Sequence, residues 1–140
     1  MSSRRRFVLT CGVILVGLMA KARLARALLV ARRGRGGPHP EPRPGITAEK
    51  VLTNEELGSW VVAIPAFEAV RQIPQIADGI RCSCGCADTP GFRSLLSCYE
   101  SQGMARSCEI CQGEGLMAFR LFTDGKTLDE IRAAMDARFG

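Results

Sequence analysis

From residue 46 onward the apolar positions recur at three- and four-residue spacing. No segment alternates with period 2 or carries an Asn-Gly type turn, so the pattern predicts an all-α body. Thr53-Asn54 ahead of Glu55-Glu56-Leu57 predicts the capped start of a short helix, and Pro65 suits the first turn of a helix with Phe67, Val70 and Ile73 on one face. Pro74 ends or kinks that run, and Ile76, Ala77 and Ile80 lead a further helical turn into Cys82, with Gly79 closing it. Asp88-Thr89-Pro90-Gly91 is a turn by composition, and beyond it Leu95, Leu96 and Tyr99 form a short apolar face around Cys98. The segment from Cys108 to Thr123 holds Ile110, Leu116, Met117, Phe119, Leu121 and Phe122, with Gly125 at its stop. Thr127-x-x-Glu130 is a capping box that starts the last helix, whose Leu128, Ile131, Met135 and Phe139 form a stripe assigned to the core.

Ahead of this body the chain changes character twice. Residues 1–33 open on Ser3-Arg4-Arg5-Arg6-Phe7-Val8-Leu9 and an uncharged apolar run of fourteen residues from Phe7 to Ala20, then reach Ala20-Lys21-Ala22. A membrane span needs about 20 apolar residues, so the run is short for one, and the whole resembles a secretory signal peptide. Ser-Arg-Arg-x-Phe-x-Leu resembles the twin-arginine export signal, which implies passage across a bacterial inner membrane in a folded state, often with a cofactor bound. The alternative is an uncleaved anchor. Lys21 to Arg33 sets Leu24, Leu28 and Leu29 among Arg23, Arg26, Arg32 and Arg33, a basic amphipathic pattern suited to an anionic membrane surface. Cys11 reads as a residue of the signal peptide, not as a lipid attachment point. Residues 34–45, with four prolines and four glycines, read as a tether, and His39, the one histidine of the chain, reads as a solvated linker residue.

Charge follows the same division. Of the 140 residues, 1–45 hold ten Lys/Arg and one acid, whereas 46–140 hold nine Lys/Arg and thirteen acids, so a leader of +9 precedes a body of −4. A net-negative body has no clustered cations with which to release counterions from phosphates, and no nucleic-acid partner is expected. The expected surroundings are extracytoplasmic: the periplasm or the outer face of the bacterial inner membrane, which the N-terminal segment would touch.

Six of the seven cysteines fall between positions 82 and 111, as Cys82-x-Cys84-x-Cys86, Cys98 and Cys108-x-x-Cys111. In an exported chain of this size such density means a disulfide framework, a metal site, or one of each. In an extended run, alternation would put Cys82, Cys84 and Cys86 on one side, while Gly85 permits a bend that lets their sulfurs converge. Cysteines two apart are awkward disulfide partners but good ligands for a thiophilic ion, copper(I) first and zinc next. Cys108-x-x-Cys111 at a helix start would set both sulfurs at the positive end of the dipole and lower their pKa. Four thiolates complete a tetrahedral zinc site, leaving two for a disulfide. A body without histidine excludes a histidine-ligated zinc hydrolase and a Cys-His nucleophile, and there is no phosphate loop or dinucleotide fingerprint. No residue is assigned a catalytic role. The reading is a binding domain, with thiol-disulfide exchange or a purely disulfide-stapled interaction domain as alternatives and the protein partner unassigned.

Ile73-Pro74, Cys82-Ser83-Cys84-Gly85-Cys86, Ser94-Leu95-Leu96-Ser97-Cys98-Tyr99, Ala105-x-x-Cys108-x-x-Cys111 and Gly125-Lys126-Thr127-x-x-Glu130-Ile131-Arg132 together resemble the PCYCGC-motif family of bacterial exported proteins and lipoproteins, over roughly residues 64–140. The resemblance implies an extracytoplasmic Cys-rich domain handling a metal such as copper. Arg81 stands where that family has Pro and Ser83 where it has Tyr, and Phe92 and Met104 occupy places where His is expected. Met104 is a thioether and could serve copper(I) in place of an imidazole; the other reading makes it a packing residue. The C-terminal half also resembles, more faintly, the helical thiol proteins of cytochrome c maturation, which implies disulfide exchange at Cys108-x-x-Cys111 and leaves Cys82, Cys84 and Cys86 without a role.

Overall fold

A computed structural model describes residues 37–140. The leader, its twin-arginine pattern, Cys11 and the basic segment up to Arg33 lie outside the described residues. Those described are helical with no strand among them, and a single isolated antiparallel bridge joins Val51 to Glu100. No described helix is long and apolar enough to cross a membrane.

Helix α1 (Asn54–Leu57) starts where Thr53 accepts from the Glu56 N–H and the Glu56 carboxylate accepts from the Thr53 N–H, a complete capping box. After a 3-10 turn at Val61–Ala63 comes α2 (Ile64–Gln72), with Pro65 in its first turn, where a missing N–H is no loss. Pro74 ends that helix and opens α3 (Pro74–Asp78), closed at Gly79. The cysteine loop follows, with 3-10 turns at Cys86–Asp88 and Leu96–Tyr99, then α4 (Glu109–Thr123) and α5 (Leu128–Phe139), the last begun by the Thr127–Glu130 capping box.

α2 packs chiefly on α4, and α5 packs on α4 as well. The expected face of α2 is buried at Phe67, Val70 and Ile73, and Ile131 and Met135 of α5 are buried while Leu128 and Phe139 are half-buried. The buried face of α4 is different from what its large apolar residues suggest. It runs through Cys111, Glu114, Gly115 and Ala118, with Ile110, Leu116 and Phe122 exposed. Small side chains here let α4 come close to Tyr99, which packs edge-on against Phe67 with ring centroids 4.7 Å apart. Tyr99 Oη donates to the carbonyl of Cys111 at 2.7 Å, in the space left by the missing Cβ of Gly115.

Of the segment expected as a tether, the described residues 37–45 form a strap on the body. His39 Nδ1 accepts from the Arg81 N–H at 2.9 Å and His39 Nε2 lies 3.1 Å from Asp136 Oδ1, so this histidine joins the strap to the residue before Cys82 and to α5. Arg132 donates to the Pro40 carbonyl at 2.8 Å, and Arg93 donates to that of Glu41. Prolines remove donors from the strap but leave its carbonyls, so arginines of the body can hold a backbone that forms no helix of its own. The strap ends on Asp78, fully buried, whose carboxylate takes three hydrogen bonds from Arg43 at 2.8–3.1 Å, one from Arg93 at 3.0 Å and one from Ser94 Oγ at 3.0 Å.

Burial alone would raise the Asp78 pKa, but the hydrogen bonds and charge of Arg43, with Ser94, hold it below the usual carboxylate range. A depressed folded-state pKa contributes stability that is fully present above the unfolded value and is lost as pH falls through the folded one. Asp78→Asn is therefore expected to be less stable than the wild type at neutral pH and to lose less on acidification. Urea midpoints measured for both from neutral to strongly acid pH should converge; parallel curves would contradict this.

Candidate metal centre

Three separate elements deliver the cysteines to one place. Cys82, Cys84 and Cys86 come from the loop after α3, Cys98 from the 3-10 turn at Leu96–Tyr99, and Cys111 from the first turn of α4. Gly85 has φ +90, the left-handed region that glycine enters without strain, and it folds the loop back so that neighbouring sulfurs meet. Cys82 Sγ lies 3.2 Å from Cys84 Sγ and 3.6 Å from Cys111 Sγ, and Cys84 Sγ lies 2.8 Å from Cys86 Sγ. The sulfurs of Cys82, Cys84, Cys98 and Cys111 all lie within 4.8 Å of one another.

All six cysteines from Cys82 to Cys111 are free thiols, so the expected disulfide between the two left over from a four-thiol site is not formed. Those two are Cys86 and Cys108. Cys86 remains at the edge of the four, 3.3 Å from Met104 Sδ, while Cys108 is the half-buried N-cap residue of α4. Met104 is 50% exposed, so it is not a core packing residue, and its thioether is turned onto Cys86. His39, held by Arg81 and Asp136, offers no ligand to the cluster.

One member of the cluster escapes a reading of cysteine spacing. Glu114 is fully buried; its Oε2 accepts from Cys82 Sγ at 3.0 Å and its Oε1 from the Ser83 N–H at 2.9 Å. The signal for it was present, because Glu114 lies three residues after Cys111 and so on the same side of α4. Burial pushes its carboxyl pKa up, against the opposing pull of those two hydrogen bonds.

The thiols differ sharply in how readily they ionise. Cys82 is pushed up by its hydrogen bond to Cys111 and by burial. For Cys111, the bond to Cys82 favours the thiolate but Cys98 and burial outweigh it; for Cys98, the bond to Cys111 favours the thiolate but Cys82 and burial outweigh it. The helix start of α4 therefore does not make Cys111 a reactive thiolate, because burial among other sulfurs exceeds what a partial charge at the helix end supplies. Cys86 is pushed up to about 11 by burial and by Cys84. Burial also opposes ionisation of Cys84, but hydrogen bonds from Cys86, through both sulfur and N–H, and from Cys82 prevail and hold it below the usual thiol range. Cys84 is thus the one member of the four whose surroundings favour ionisation, and the other three need the charge of a bound cation to become thiolates.

Around an ion bound at about 2.3 Å by four sulfurs, tetrahedral geometry sets neighbouring sulfurs about 3.8 Å apart. The observed separations bracket that spacing, so the four thiols can hold a metal ion with small adjustments. No family model, curated protein or solved structure matches the chain.

Proposed function

We propose that the domain is an extracytoplasmic metal-binding module that holds a thiophilic ion, copper(I) in preference to zinc, on Cys82, Cys84, Cys98 and Cys111. The observation that carries this reading is the convergence of four thiols, three of them buried, from three parts of the chain. Sulfur-only donor sets favour soft ions and disfavour magnesium and calcium. Zinc would be satisfied by the four thiolates alone. Copper(I) also gives a use to Cys86 and to the thioether of Met104, which continue the row of sulfurs. The likeness to the PCYCGC-motif proteins supports the same reading, and the twin-arginine pattern supports loading in the reducing cytoplasm before export to the periplasm or to the outer face of the inner membrane.

Thiol exchange at Cys108-x-x-Cys111 fits the geometry less well. Cys111 is fully buried with a raised pKa, whereas an exchanging sulfur must meet its partner as an accessible thiolate.

The test is an anaerobic competition titration of the reduced protein against a chromophoric copper(I) chelator and, separately, a zinc chelator. Copper(I) taken from the first at a stronger affinity than zinc from the second is expected. Failure to withdraw either ion would overturn the reading.

A further inference from the structure

We infer that Met104 and Cys86 form an outer port through which copper(I) reaches the inner four-thiol site, with Cys84 as the shared step. The inference rests on the copper(I) reading above and adds a route to it. Four sulfurs already complete a single-ion site, so the Cys86–Met104 pair is surplus to holding one ion. Its placement gives it a use. Met104 is the most exposed member of the row, Cys84 is half-buried and Cys86, Cys82 and Cys111 are buried, and from Met104 the sulfurs run 3.3 Å to Cys86, 2.8 Å to Cys84, 3.2 Å to Cys82 and 3.6 Å to Cys111. An ion bonded at about 2.3 Å can touch two sulfurs at once whenever they are less than about 4.6 Å apart. Every step of the row meets that condition, so the ion can acquire its next ligand before releasing the last.

The exchange involves no electron transfer. A copper(I) donor with thiol or chelator ligands loses its bond to the ion as Met104 Sδ and Cys86 Sγ form theirs, and the Cys86 thiol proton leaves to water. The bond to Met104 then breaks as the bond to Cys84 forms, and the bond to Cys86 breaks as Cys82, Cys98 and Cys111 take over; the protons of these four thiols leave to water, the released Cys86 thiolate takes one back, and the copper stays monovalent. Met104 suits the first contact because a thioether binds copper(I) without having to lose a proton, and being neutral it also lets go.

The experiment follows, by anaerobic stopped flow, the withdrawal of copper(I) from its chromophoric bathocuproine complex by the full chain, by Met104→Leu and by Cys86→Ala, alongside the equilibrium affinity of each. Met104→Leu is expected to slow withdrawal by about tenfold or more, the loss of one stabilising contact in the rate-limiting exchange, while its final affinity stays close to that of the wild type. Cys86→Ala is expected to slow it as well. A Met104→Leu rate equal to the wild type overturns the port, and so does a loss of affinity as large as the loss of rate, which would make Met104 a resting ligand. If the wild type itself withdraws no copper(I), the copper(I) reading fails and the port with it.

Discussion

Replacing Cys111 by serine is expected to weaken copper(I) binding by well over 100-fold, since loss of a mere outer-shell partner already costs metal sites about 10–100-fold. Cys111 is the sole member of the four contributed by α4, and it is fully buried beside Cys82. A hydroxyl is a hard donor that keeps its proton, so it replaces the volume of the thiol without replacing its affinity for a soft ion. The hydrogen bond from Tyr99 goes to the Cys111 carbonyl and survives the change, so the helix should stay in place. Cys108→Ser is the matched control: the residue starts the same helix but stands outside the four, and its affinity should change little. Competition against a chromophoric chelator reads both variants. Equal losses for the two would contradict the assignment of Cys111 to the inner site.

Gly115→Ala is expected to lower stability by about 2 kcal/mol and Tm by about 10 °C or more, the reverse of what such a change does in an open helix. In an exposed helix interior alanine is favoured over glycine by about 1 kcal/mol. Here the added Cβ would stand 2.1 Å from Tyr99 Oη and 2.8 Å from Val70 Cγ2. The tyrosine must retreat, and the hydroxyl then loses the Cys111 carbonyl in a fully buried place. Because that bond ties the core to the turn carrying Cys111, copper(I) affinity should fall along with stability. Tyr99→Phe removes the colliding oxygen, so the double variant Gly115→Ala with Tyr99→Phe should recover part of the loss in thermal denaturation. A single Gly115→Ala variant as stable as the wild type would show that α4 does not approach Tyr99 this closely.

Local chemistry made the order of the helices legible. Capping residues at Thr53 and Thr127, prolines at 65 and 74 and the apolar stripe through Ile131 and Met135 each act within a turn or two of the chain, and each forms as its pattern implies. The membership of the cysteine cluster was legible as a set, since spacing alone gathers residues 82–111. Its inner arrangement was not. Whether Cys86 or Cys98 completes the four depends on how the 3-10 turn at Leu96–Tyr99 seats against α4, a contact between distant elements that no local pattern encodes. The strap shows the same limit. Proline and glycine content excludes regular structure for residues 37–45, but it says nothing about arginines 93 and 132, far along the chain, holding the carbonyls. Glu114 carried a signal in its place three residues after Cys111, but among thirteen acids in the body that signal singles it out only once the buried side of α4 is known.

The most direct measurement is metal content by elemental analysis together with free-thiol titration, on protein purified after native export with neither chelator nor reductant added. Near-stoichiometric copper, or failing that zinc, with four or more thiols unoxidised once the metal is removed anaerobically is the expected result. Metal-free protein with all six body cysteines oxidised would contradict a metal centre and leave a disulfide-stapled domain in its place.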